Sequence, residues 1–94
     1  MYRDDPLDDE LELRALVGDE AVDLLAAAEL ARDPVDVALD VLRVLQGWVD
    51  DDAAGRWFRQ PQQRLDGQTP VDALTAGVFE EVEDAARAWA AAHG

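Results

Sequence analysis

The stretch from Pro34 to Val49 constrains the fold of this chain more than any other. Val35, Leu39, Leu42 and Val49 form one apolar stripe at helical spacing, and Val37, Val41, Val44 and Trp48 form a second beside it. The polar positions Asp36, Asp40, Arg43 and Gly47 fall on a single i, i+4, i+7, i+11 line. A helix that is apolar round most of its circumference has to be covered on more than one side. The spacing therefore predicts a central helix inside a small all-α domain. Asp33-Pro34 supplies its start, because the Asp carboxylate accepts from orphan backbone N–H groups and a proline at the first helical position gives up a donor that had no partner.

The flanking sequence predicts the helices that cover it. Leu11, Leu13, Leu16 and Val17 predict a short first helix, capped by Asp8 or Asp9 and closed by Gly18. Residues 1–9, acidic and containing Pro6, read as a flexible tail. Asp19 is expected to cap a second helix holding Val22, Leu24, Leu25, Ala28 and Leu30. Asp50-Asp51-Asp52 opens another, with Ala53, Ala54, Trp57 and Phe58, which Pro61 stops. Gln60 to Gln68 has no period and reads as an ordered loop turning at Asp66-Gly67. Thr69-Pro70 opens a helical turn through Val71 and Leu74, broken at Gly77. A last helix keeps Val78, Val82, Ala85 and Trp89 inward and Glu80, Glu81, Glu83, Asp84 and Arg87 mostly outward. The expectation is one helical domain over 10–94, with about five to six helices around the central one.

The charge balance narrows the function. A chain of 94 residues with 22 Asp+Glu, eight Arg and no Lys has a formal net charge of −14. Nucleic acid is bound by clustered cations that displace counterions, so the isolated chain is expected to bind neither nucleic acid nor an anionic membrane. With neither Cys nor Ser there is no disulfide, no thiolate metal site and no usual activated nucleophile. His93, one residue from the chain end, lacks the orienting partner a catalytic histidine needs. Asp50-x-Asp52-x-x-Gly55 begins like a calcium loop, but Ala54 stands at the fifth position and Pro61 at the twelfth, so the run reads as helix capping. No enzyme activity, cofactor or metal is expected. Uncharged stretches such as Ala73–Phe79 are far too short for a membrane span, and the acidic first residues are unlike a secretory leader, so the reading is a cytoplasmic protein.

One segment is more specific. Trp57-Phe58 is followed by Pro61-Gln62-x-x-Leu65-x-Gly67-x-x-Pro70, then by Leu74, Gly77 and Val82. This resembles the C-terminal toxin-binding domain of the Xre/MbcA/ParS-like antitoxins, which carry a Trp-aliphatic pair, Pro-Asn-x-x-Leu-x-Gly-x-x-Pro, a Leu, and a Gly and Val in the last helix. The likeness covers residues 35–94. Gln62 stands where Asn is usual, and the 33 residues before Pro34, with three Arg, are too few for the complete helix-turn-helix that many such antitoxins also carry.

The resemblance implies an antitoxin of a type II toxin–antitoxin system, commonly dimeric. Its partner would typically be a RES-type toxin, which consumes NAD and whose active-site entrance the antitoxin covers. It also implies toxin contact through the loop and the last helix, with Gln62, Arg64, Glu81, Asp84, Arg87, His93 and Gly94 as candidates. Two alternatives rest on other features: an acidic module that mimics nucleic acid or shields a basic partner, and a plain oligomerisation domain. The −14 charge supports the acidic module; the scatter of carboxylates over caps and helix faces opposes it.

Overall fold

The computed structural model describes residues 6–93, and six α-helices account for most of them. They are α1 (Pro6–Val17), α2 (Asp19–Ala27), α3 (Pro34–Gln46), α4 (Asp51–Arg59), α5 (Pro70–Thr75) and α6 (Phe79–His93), with one turn of 3₁₀-helix at Gln63–Leu65. The expected all-α architecture is what the chain adopts, with no strand among the described residues. α3 packs against each of the other five helices. Its Val37, Ala38, Val41, Leu42 and Leu45 are buried within the one chain, so the apolar circumference is satisfied without a second copy. The Cα radius of gyration, 12.3 Å, equals the roughly 12 Å expected for one packed unit of this length.

The caps explain most boundaries. Asp33 accepts from Val35 N at 2.9 Å with Pro34 at the first helical position, Asp50 accepts from Ala53 N at 2.8 Å, and Thr69 accepts from Asp72 N at 3.1 Å ahead of Pro70. The Asp50–Asp52 run is thus spent on capping and on neighbours: Asp51 accepts from Gln46 at 3.0 Å and Asp52 pairs with Arg56 at 3.4 Å.

Several boundaries differ from the sequence reading. α1 starts at Pro6, so residues 6–9 belong to a helix rather than to a tail, and neither Asp8 nor Asp9 caps it. Asp9 instead pairs with Arg43 of α3 at 2.7 Å. The rest of the expected tail, residues 1–5, lies outside the described residues. Asp19 does not cap α2. Gly18, at φ 116°, ends α1 and begins α2 in a backbone conformation that favours glycine, and the Asp19 carboxylate turns to Arg14 at 3.5 Å. Finally, α3 ends at Gln46 rather than Val49, its last carbonyls closed by Gly47 N and Trp48 N, because Asp50 must be extended to cap α4. Trp48 is thereby thrown off the stripe and is 57% exposed. α2 stops at Ala27, with Ala28 extended, so Ala28 and Leu30 fall outside the helix expected to hold them; Leu11, Leu24 and Leu30, all expected inside, are exposed.

Polar ties hold α1 in place. Arg43 reaches Asp9, Glu12 at 2.9 Å and Gln46 at 2.7 Å, while the Gln46 amide donates to Glu12 at 2.7 Å. Arg14 links α1 to α2 through Asp23 at 2.9 Å, and Arg59 of α4 donates to the terminal Val17 carbonyl at 3.4 Å.

Candidate functional site

The loop between α4 and α5 is built from its ends inward. Trp57 and Phe58 are fully buried and meet edge to face, with ring centroids 5.4 Å apart. α4 ends in extended backbone at Gln60 before Pro61. Gln62 then fastens the loop with both backbone and side chain. Its carbonyl accepts from Leu65 N and Gly67 N at 3.0 Å, its N–H donates to the Gln68 carbonyl, and its amide donates to the Trp57 and Gln60 carbonyls. Leu65 drops into the core, and the chain turns back through Asp66 and Gly67, both with positive φ. The Gln62 side chain, longer than the asparagine the motif usually has, thus makes two intraloop bonds.

The 3₁₀ turn packs on α6 and leaves an open groove of about 290 Å³ between them. One wall is Gln62, Gln63 and Arg64; the other is the small-residue line Ala85, Ala88 and Ala92 of α6, with Trp89 and His93. Trp89 is half-buried. Its inner side faces Trp57, with centroids 6.4 Å apart, and its outer side stacks on His93 at 4.5 Å. The His93 Nδ1 lies 2.9 Å from the Trp89 carbonyl oxygen, a contact that in the neutral ring selects the Nδ1–H tautomer. Trp57 Nε1 is buried without a hydrogen-bond partner among the described residues, so this indole serves as packing volume.

The groove differs electrostatically from the rest of the surface. Among the described residues none that lines it is a carboxylate, whereas four other depressions each carry at least two. Arg64 makes no ion pair and no hydrogen bond among the described residues. By contrast, Arg14, Arg32, Arg43, Arg56 and Arg87 all pair with carboxylates, and Arg59 holds a carbonyl. No group of three or more His, Asp or Glu side chains is placed to hold a metal among the described residues, and none of their helices is long and apolar enough to cross a membrane. The groove thus presents a ring face, side-chain amides and a guanidinium without a partner among the described residues.

The contact candidates separate into two groups. Gln62, Arg64 and His93 come together in the groove. Glu81 lies with Arg32, Gly77 and Phe79 near the start of α6; Asp84 pairs with Arg87 at 3.0 Å; and Arg87 lines a depression shared with α3. Gly94 lies outside the described residues. Of the motif residues, Trp57, Phe58, Leu65, Pro70, Leu74 and Val82 are buried, Pro61 and Gly67 are exposed at the loop, and Gly77, at φ 84°, turns the chain into α6. Gln63 and the alanine line escaped the sequence reading. The i, i+3, i+7 spacing of Ala85, Ala88 and Ala92 was legible, but the 3₁₀ turn opposite them was not.

Comparison with known proteins agrees with the motif. No curated protein and no solved structure matches the chain. The family model for the antitoxin Xre/MbcA/ParS C-terminal toxin-binding domain matches residues 12–85. The match begins within α1, earlier than the 35–94 of the motif likeness, so α1 and α2 are part of the domain rather than an appendage to it. The chain belongs to the Xre/MbcA/ParS antitoxin family, carrying its C-terminal toxin-binding domain.

Proposed function

We propose that this protein neutralises a RES-type, NAD-consuming toxin by direct contact, using the loop at 61–69 and α6. The observation that carries the reading is the family match over 12–85, together with a rigid, hydrogen-bonded loop standing beside an exposed helix. A loop already fixed in the free protein loses little further freedom on binding, which favours affinity. A site that grips the phosphates of NAD is expected to be cationic at its mouth. A partner of net charge −14 is steered toward such a mouth, chiefly through its on-rate. The role needs no catalytic group on this chain.

The reading includes pairing of two copies. α3 is already covered, so the large apolar side chains left for pairing among the described residues are the exposed Leu11, Leu24, Leu30 and Trp48. Sedimentation at micromolar concentration should show a dimer that Trp48→Glu weakens; a monomer throughout refutes this part.

The test of the main reading is co-expression with a RES-type toxin from the same genome. Growth should be restored by this protein and the two proteins should co-purify. Growth arrest despite abundant folded protein would rule the reading out.

A further inference from the structure

We propose that the groove between the 3₁₀ turn and α6 receives a carboxylate side chain of the partner protein. Arg64 takes the carboxylate, and the Trp89–His93 stack is the shelf for an apolar residue beside it. The proposal rests on the reading of this chain as a protein-binding antitoxin and names the chemistry of one contact within it.

The chain has 22 Asp+Glu for eight Arg, so a guanidinium has carboxylates within reach almost anywhere on its surface. Five described arginines take them. Arg64 takes none, and its groove neighbours are neutral amides, alanines and rings. The arginine stands on a turn fixed by the Gln62 bonds, so the guanidinium is offered from a held backbone. A planar guanidinium binds a carboxylate through two parallel N–H donors, and neither has to be released from an internal partner first. The adjoining face supplies apolar contact, because Trp89 is half-buried under His93 and the alanine line leaves room for a side chain.

Charge decides the occupant. A lysine or arginine entering the groove would meet Arg64 with no carboxylate among the lining residues to receive it. A second copy of this chain, itself at −14, brings no cationic surface to the groove, and the pairing proposed above uses exposed apolar side chains elsewhere. The fitting partner is therefore a protein with a cationic surface that places one acidic anchor, next to an apolar residue, opposite Arg64. Such an anchor would sharpen selectivity, since a cationic protein lacking it leaves the groove unfilled.

The experiment uses the full chain and three blocked dipeptide amides: acetyl-Phe-Glu, acetyl-Phe-Gln and acetyl-Phe-Lys. Amide, indole and guanidinium N–H signals are followed by NMR during titration at millimolar peptide. The Glu peptide should shift Arg64 and Trp89 saturably. The Gln peptide should bind about fivefold more weakly, the difference between a charged and a neutral hydrogen bond. Arg64→Gln, at an exposed position, should keep the fold and erase the difference between the Glu and Gln peptides. Ala88→Glu, which puts a carboxylate on the opposite wall for Arg64 to pair with, should abolish the preference for the Glu peptide over the Gln peptide. Equal binding of the Glu and Gln peptides, no saturable shift at the groove, or the same shifts produced by raising the protein concentration alone would each overturn the proposal. The last outcome would assign the groove to a second copy. Failure to restore growth against a RES-type toxin would leave these titrations untouched, so the two readings fail separately.

Discussion

Gly55 of α4 crosses Leu16 of α1 so closely that a Cβ at position 55 would stand 2.9 Å from the Leu16 carbonyl carbon. Two effects of Gly55→Ala oppose each other. Alanine in a helix interior is favoured over glycine by roughly 0.5–1 kcal/mol. Overpacking a buried contact costs about 1–3 kcal/mol, and the obstacle here is backbone, which cannot step aside like a side chain. The clash wins. Thermal melting followed by circular dichroism should show a drop of several degrees, since about 1 kcal/mol moves the midpoint by roughly 4–8 °C in a domain this small. A raised midpoint would show that α1 and α4 can separate freely.

The Glu12 contacts make a pH-dependent contribution to stability. The Gln46 amide and then the Arg43 guanidinium hold the Glu12 carboxyl below its ordinary value of 4.5. A group whose pKa is lower folded than unfolded stabilises the fold above the unfolded value, and that contribution disappears as pH falls through the folded value. At pH 7 Glu12→Gln should therefore be less stable than the parent, by no more than about 1 kcal/mol because the pair is largely solvent-exposed. At acid pH the urea midpoints of the two proteins should lie closer together than at pH 7. Parallel midpoints at both pH values would show that the contact carries no linkage.

Gln62→Ala removes the two amide donations to the Trp57 and Gln60 carbonyls. Each such bond contributes about 0.5–1.5 kcal/mol net. The thermal midpoint should fall by a few degrees. Amide exchange at Leu65, Gly67 and Gln68, whose N–H groups close the turn, should accelerate more than exchange in α3. Uniform acceleration would mean that the loop opens only with the whole domain.

Reversing the acidic positions of α6 should act differently from reversing its arginine. Glu81→Arg with Asp84→Arg alters the exposed acidic face, and Arg87→Glu alters the depression shared with α3. All three side chains are exposed, and such substitutions usually change stability by no more than about 0.5 kcal/mol. If the acidic face steers the toxin, the double reversal should slow association and flatten its salt dependence, while Arg87→Glu leaves both nearly unchanged. Surface plasmon resonance across salt concentrations reads both. A double reversal that leaves the on-rate intact would remove the acidic face from the encounter.

What could be read along the chain is what short-range physics controls. The buried apolar positions Val35, Val37, Val41 and Leu42, the caps at Asp33, Asp50 and Thr69, and the turn at Asp66-Gly67 each depend on residues a few positions apart, and each stands in the structure as its spacing predicts. The family motif was legible for the same reason: Pro61, Leu65, Gly67 and Pro70 are a local device for a stiff loop. Tertiary packing decided the rest. It drew Asp9 of the expected tail into a helix by an ion pair with Arg43, 34 positions away, and it left Trp48 in solvent because the cap of α4 cut α3 short. It also set Arg64 against the alanine line of α6, making a groove that no described carboxylate lines in a strongly acidic protein. No local pattern encodes these outcomes. Each is a competition between partners distant in sequence, settled by which helix faces can pack together.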